Sequence, residues 1–231
     1  MPGGALYLRD MAPDPFLQVR TWVFDLDNTL YPPQARLFDQ IEGRMVEWVS
    51  RRLDLPRAEA DRLRRHYWKR YGTTLAGLMA EHGVDPGDYL AHVHAIDMSV
   101  LHPDPRLARA LAALPGRRIV HTNADRGYAR RVLAARGIGG LFDAVYGIEE
   151  TGFHPKPAAR AFEAILAQDG LDPARAAMFE DDPRNLAVPH ALGMCTVLVT
   201  PRPVAAPHIG HHTDDLAGFL APLGRLDARA T

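Results

Sequence analysis

The sequence predicts an α/β fold, a parallel sheet with helices on both faces, carrying an all-helical insertion near its start. Three observations predict it. From about residue 101 onward, short apolar, β-prone runs alternate with helical stretches, the pattern of a parallel sheet joined by right-handed crossovers. Trp22, Val23 and Phe24 form an apolar run without polar alternation, as in a strand covered on both faces. Between about residues 34 and 100 there is helical periodicity and no strand candidate. At 231 residues, with 47% hydrophobic and 24% charged residues, the chain is long enough to bury one core and support a modest insertion.

Residues 1–19 read as an irregular tail with Pro and Gly. The first strand then runs into Asp25-Leu26-Asp27-Asn28-Thr29-Leu30, and Tyr31-Pro32-Pro33 breaks the chain, because proline disfavours helix at the residue before it. Leu37, Ile41, Met45, Trp48, Val49 and Leu53 recur at steps near 3.6, the packing stripe of a helix. Leu55-Pro56 ends that helix. Helical segments over 57–71, 74–82 and 86–97 follow, divided at Gly72 and at residues 83–86. His102-Pro103-Asp104-Pro105 closes the insertion, so residues 1–33 and 101–231 form the α/β core and residues 34–100 the helical part.

The core continues with a helix over 106–114 and a strand over 118–120 leading into His121-Thr122-Asn123. Tyr128, Val132 and Leu133 mark the next helix, and residues 142–146 a strand. Pro157 opens a helix that runs to residue 167. A strand over 176–179 enters Glu180-Asp181-Asp182, where Asp182-Pro183 reads as an N-cap followed by proline in the first turn. Residues 195–199 form one more buried strand, and the tail holds a Pro-rich loop and a short helix near 216–220.

A net charge of about -1 implies no general attraction to nucleic acid or anionic lipid, so neither a nucleic-acid polymer nor a membrane is expected as a partner. The single cysteine, Cys195, forms no internal disulfide, which fits a reducing compartment. No apolar run approaches the roughly 20 residues that span a bilayer, and the first fourteen residues lack a hydrophobic signal core. A soluble cytoplasmic protein is the expectation.

The chemistry-bearing residues cluster at strand ends. In extended backbone, Asp25 and Asp27 point the same way and face one cavity beyond the first strand. Two such charges repel unless a cation lies between them or one takes a proton. Thr122 offers a hydroxyl, and the turn Asn123-Ala124-Asp125 opens a helix whose free N–H groups form an anion site. Lys156 stands between two prolines, where a restricted backbone holds its ammonium as a fixed charge. Blander roles suit the rest: Trp48 and its stripe as packing, Cys195 as a buried thiol, the Arg pairs 51–52, 64–65 and 130–131 as solvated faces, and His208, His211 and His212 as loop residues without a metal.

Asp25-Leu26-Asp27-Asn28-Thr29, Thr122-Asn123, Lys156 and Glu180-Asp181-Asp182, in that order over roughly residues 20–200, resemble the haloacid dehalogenase-like hydrolase superfamily. The resemblance implies a Rossmann-like core and, for most members, a Mg2+-dependent phosphatase. Asp25 would be the nucleophile of an aspartyl-phosphate intermediate. Asp27 would give the metal its backbone carbonyl and serve as general acid, then base. Asp181 is the third metal ligand by this resemblance, with Glu180 or Asp182 orienting coordinated water. Asn28, Thr122, Asn123 and Lys156 would hold the phosphate.

The superfamily places a helical cap after its first motif, which makes residues 34–100 that cap. The stretch ending Thr29-Leu30-Tyr31, the run from Tyr67-Trp68 to Thr73-Thr74-Leu75, and Asp181-Asp182-Pro183-Arg184-Asn185 are similar to a pyrimidine 5'-nucleotidase subgroup. This implies hydrolysis of UMP- or CMP-type nucleotides, with Tyr67, Tyr71, Thr73 and Thr74 as specificity residues, since rings and hydroxyls suit a flat, hydrogen-bonding base. The alternatives are a phosphatase for another small phosphorylated metabolite, such as a sugar phosphate or pyridoxal phosphate, a metal-free dehalogenase, and a non-catalytic phosphate-binding module. Asp27 and the acidic run at 180–182 weigh against the dehalogenase, because halide displacement at carbon needs neither.

Overall fold

A computed structural model describes residues 15–202 and 204–225. Of the expected tail, residues 1–14 lie outside that range, as does Pro203 of the Pro-rich loop; Pro15–Gln18 form a 3-10 turn that buries Phe16.

Among the described residues six strands, β1 (Thr21–Phe24), β2 (Arg117–His121), β3 (Ala144–Tyr146), β4 (Ala176–Glu180), β5 (Cys195–Val199) and β6 (His211–Thr213), pair in parallel in the order β3-β2-β1-β4-β5-β6. The chain winds outward from β1 in one direction, then returns to its other side, which leaves a crevice between β1 and β4 at their carboxyl ends. Five helices, α5 (Pro105–Ala113), α6 (Arg126–Ala135), α7 (Ala159–Asp169), α8 (Ala187–Ala191) and α9 (Leu216–Leu220), connect or follow the strands.

Side-chain alternation along the strands sorts the core into two layers. Val23, Ile119, Met178 and Leu198 meet Ile165 of α7 on one face. Trp22, Phe24, Val120, Phe179 and Val197 meet residues of α5, α6 and α9 on the other. Phe24 stacks on Phe179 of the adjacent strand at 4.8 Å, and the Trp22 indole N–H donates to the carbonyl of Pro115. Fully burying side chains of this size contributes roughly 1.5–3 kcal/mol each.

Between β1 and α5 lie α1 (Leu37–Leu53), α2 (Arg57–Tyr71), α3 (Thr74–His82) and α4 (Pro86–Val93), with no strand in residues 34–100. Thr73 caps α3 by accepting from the Ala76 N–H, and Asp85 caps α4 ahead of Pro86. Asp104 caps α5 in the same way ahead of Pro105. Each such cap is worth about 1 kcal/mol. Where α2 crosses α3, Gly77 admits the ring of Tyr67: a Cβ there would stand 2.3 Å from it.

Several expected boundaries shift. The helix expected over 86–97 stops at Val93, because His94 turns toward α6, its ring bonded to Asp125 and its carbonyl accepting from Arg131 at 2.6 Å. Pro157 does not open a helix. The Lys156–Pro157 peptide is cis, Asn123 clamps the backbone of Lys156, and α7 begins at Ala159. The strand expected over 142–146 is shorter, since Asp143 turns its carboxylate onto the Arg118 N–H. Strand β6 carries no signal of its own in the sequence: His211-His212-Thr213 lacks an apolar run, and its pairing comes only from the edge of β5.

Candidate active site

Strand register creates the site. Phe24 sits opposite Val120 on β2 and Phe179 on β4, so the next residues, Asp25, His121 and Glu180, end three adjacent strands at one level. The Asp25 N–H extends the ladder to the Phe179 carbonyl at 2.9 Å. Carboxylate oxygens of Asp25, Glu180 and Asp181 then lie within 4.8 Å of one another.

Lys156 closes this cluster from below. Asn123 holds it by both backbone groups, accepting from the Lys156 N–H at 2.8 Å and donating to its carbonyl at 3.1 Å. From there Nζ donates to Asp25 Oδ1 at 2.7 Å, to Glu180 Oε2 at 2.6 Å and to the His121 carbonyl at 2.9 Å, with the side chain 1% exposed. Burial opposes the ammonium charge, but Asp25 and Glu180 outweigh it and hold the pKa above the ordinary lysine value. The His121 ring is kept neutral by burial and by the nearby Lys156 charge.

One ammonium does not balance three carboxylates. Burial, then the Asp25 charge, push Glu180 up to about 7. Burial, followed by Glu180 and Asp25, raises Asp181 well above the carboxyl range. A hard divalent cation fits this donor set, because it would relieve both shifts and accept oxygen ligands. The buried, unpartnered Asn185 Oδ1, on the cavity wall, adds an oxygen suited to a coordinated water. Asn28, in left-handed backbone that asparagine tolerates, donates to Asp181 Oδ2 at 3.4 Å. Asp182 stands apart, capping the turn at Pro183–Leu186 and chelating the Arg184 guanidinium.

Asp27 has its own setting. The hydroxyls of Tyr31 and Tyr128 both donate to its Oδ1, each at 2.7 Å. Burial, then the Asp25 charge, raise its pKa above the usual carboxylate range against those two hydrogen bonds. His94, at the end of α4, stacks on Tyr128 with centroids 4.3 Å apart and bonds to Asp125, which caps α6. Sequence reasoning missed Tyr128 and His94 as site residues. Tyr31 stands out in the sequence only as the end of the first motif. The Tyr128 position reads as one more apolar mark on an amphipathic helix, and no spacing rule brings it to a residue 101 positions away.

A cavity of about 390 Å3 joins the strand ends to α1–α4. Asp25, Asp27, Thr122 and Lys156 form its floor, and Phe38, Met45, Thr73, Thr74 and Tyr89 are among its walls. The Thr122 hydroxyl accepts from the Ala124 N–H at 3.1 Å, which leaves its proton available to a ligand. Thr73 and Thr74 reach the cavity; Tyr67 and Tyr71 do not line it. They are spent inside the α2–α3 pair, Tyr67 on His82 at 2.7 Å and Tyr71 on Glu81. Trp68 does reach the cavity, and the Arg184 guanidinium lies over its ring. Gly72, at φ +88°, lets α2 end against the Lys156 loop, where a Cβ would meet the Lys156 carbonyl at 3.2 Å.

Other expected bystanders are placed as follows. Arg64 is not a solvated face: its side chain is 12% exposed, paired with Glu42 and Asp61, and lines the cavity. Cys195 is half-buried at the start of β5 rather than sealed in the core. His208 bonds to the Pro183 carbonyl and His212 to that of Thr200, and they form no metal cluster among the described residues. No helix among those residues is long and apolar enough to cross a membrane.

Residues 19–193 match the family described as haloacid dehalogenase-like hydrolase. The chain is 29% identical over 205 residues to Phosphate metabolism protein 8 of Saccharomyces cerevisiae, covering 80% of this chain and 63% of that protein, so it spans less than two thirds of the relative's length. Among solved structures, a HAD phosphatase from Thermococcus onnurineus aligns with a TM-score of 0.59 at 17% identity, over 89% of this chain and 98% of the other. The L-2-haloacid dehalogenase of Xanthobacter autotrophicus with chloropropionic acid covalently bound aligns with a TM-score of 0.55 at 16% identity, over 92% and 100%. At these identities the two structures share the fold with this chain.

Proposed function

This chain belongs to the haloacid dehalogenase-like hydrolases, and from that premise we propose that it is a Mg2+-dependent phosphomonoesterase acting on pyrimidine nucleoside 5'-monophosphates such as UMP and CMP. The observation that carries the reaction class is the convergence of Asp25, Glu180 and Asp181 within 4.8 Å, beside an Asp27 that sits two residues beyond Asp25. Displacing a halide from carbon needs neither the cluster nor Asp27. The name of the yeast relative, which refers to phosphate metabolism, supports the same class.

Asp25, Asp181 and Glu180 would hold the cation, with the Asp27 backbone carbonyl, and Asn185 would face a coordinated water. When bound, Mg2+ supplies positive charge that offsets repulsion between phosphate and carboxylate. An Asp25 oxygen attacks phosphorus and the ester oxygen leaves, taking a proton from Asp27. A water then gives a proton back to Asp27 and attacks the aspartyl-phosphate, releasing phosphate and restoring Asp25. Lys156 holds Asp25 in place and spreads positive charge toward the phosphoryl oxygens, and Thr122 donates to one of them. Residues 34–100 act as the cap that closes over the substrate and limits water.

The nucleotide reading draws on the cavity. A volume of about 390 Å3 accommodates a sugar and a base beyond the phosphate, with Phe38, Tyr89 and Trp68 for a flat ring and Thr73 and Thr74 for its polar edge. A sugar phosphate or pyridoxal phosphate would use the same floor. With Mg2+, the purified protein is expected to hydrolyse a generic phosphomonoester, and EDTA to abolish this. In a panel of nucleotides, sugar phosphates and pyridoxal phosphate, UMP and CMP should rank first in kcat/KM. Halide release from a 2-haloacid that EDTA leaves untouched would overturn the reaction class; another phosphate ranking first would overturn the substrate.

A further inference from the structure

We propose that Tyr31 and Tyr128 are positioning residues that lock one oxygen of Asp27, so that all proton exchange with the substrate passes through the other. The inference rests on the acid–base role given to Asp27 above.

An ionised carboxylate oxygen offers about two lone-pair sites. Both sites of Asp27 Oδ1 are taken, by the Tyr31 hydroxyl at 2.7 Å and the Tyr128 hydroxyl at 2.7 Å. A free aspartate side chain rotates broadly about its last bond, with two nearly equivalent orientations. Two donors converging on one oxygen remove that freedom and make the oxygens inequivalent: Oδ1 is occupied, and Oδ2 is the one left for the leaving group and, later, for water.

The two phenols are themselves held firmly. Each residue is 1% exposed. Tyr31 lies in the loop that leaves β1, four residues beyond Asp27, so it shares that segment's anchorage. Tyr128 belongs to α6, whose cap Asp125 accepts from the Tyr128 N–H at 2.6 Å and binds the His94 ring stacked on the tyrosine. Packing alone would account for two buried rings, but not for two hydroxyls arriving from separate elements at a single carboxylate oxygen.

The test compares kcat/KM, which reports phosphoryl transfer to Asp25, for an alkyl phosphate whose leaving oxygen needs a proton and for 2,4-dinitrophenyl phosphate, whose leaving group needs none. In the full-length protein with Mg2+, Tyr31→Phe with Tyr128→Phe should lower the alkyl phosphate value about 100-fold, within the range of general acid catalysis, and the dinitrophenyl value less than about threefold. Each substitution alone should act in the same direction. The ratio is taken within each sample, so a smaller folded fraction cancels. Equal losses on both substrates, or none, would overturn the inference. Asp27→Asn separates the layers: if it spares both substrates, the acid assignment falls and this inference with it. If it suppresses the alkyl phosphate while the tyrosine variants match the parent, only the positioning role is refuted.

Discussion

Lys156 Nζ reaches Asp25 Oδ1 at 2.7 Å across 131 residues of sequence, and that ion pair is buried at the floor of the cavity. Neither partner survives alone there without penalty. Lys156→Met keeps the length of the side chain but leaves Asp25 and Glu180 without their cation. Phosphatase turnover should drop at least about 100-fold, and the metal-free fold should lose about 3–5 kcal/mol. Turnover assays and urea denaturation in EDTA measure the two effects. Near-parental stability would mean that the ammonium is not the partner these carboxylates depend on.

The metal-free protein should weaken as pH rises through neutrality. Glu180 is pushed above its ordinary 4.5 to about 7 in the fold, first by burial and then by Asp25. A carboxyl with a raised folded pKa contributes stability that is complete below the unfolded value and lost as pH climbs through the folded one. Mg2+ should therefore raise Tm more at pH 8 than at pH 5, where protons compete for the same oxygens. Replacing Glu180 by Gln should flatten the metal-free profile between those pH values. Calorimetry with and without the ion reads this, and identical Mg2+ shifts at both pH values would contradict it.

Gly77→Ala tests the α2–α3 contact. Alanine is the better helix former by about 1 kcal/mol. Here its methyl would lie 2.3 Å from the Tyr67 ring, between two packed helices. Overpacking of this kind costs about 1–3 kcal/mol, so the net effect should be destabilising. A rise in the denaturant midpoint would show that the two helices separate freely.

Arg184 and Trp68 should be coupled. The guanidinium sits 3.8 Å above the ring centroid and joins the turn after β4 to α2 beside the cavity. Both side chains are partly exposed, so stability should hardly respond to Trp68→Ala, while KM for whichever phosphomonoester is turned over best should rise several-fold. A double-mutant cycle on KM should return about 0.5–1 kcal/mol. Strict additivity would count against the contact.

Much of this architecture can be read in the chain before folding, and the reasons are local. The run of Thr21–Phe24 into Asp25, and that of Ala176–Glu180 into Asp181, are short enough for period and polarity to mark both strand and terminus. Helix α3 and strand β5 are bracketed by their own punctuation and fall where the pattern puts them. What escapes is whatever depends on a second element. Tyr67 looks as eligible for the cavity as Trp68, and only the crossing of α2 with α3 turns one inward and leaves the other at the cavity. Strand β6 exists because β5 offers an open edge, and Asp182, in a row of acids, is diverted by its neighbour Arg184.

The stack of His94 on Tyr128 has a temporal meaning. A ring from the end of the helical segment rests on a phenol that steadies Asp27, so swinging that segment aside to admit a substrate would strip one face of the phenol bare. The acid–base apparatus would then be complete only with the door shut, so that proton delivery to a leaving group waits until the substrate is enclosed.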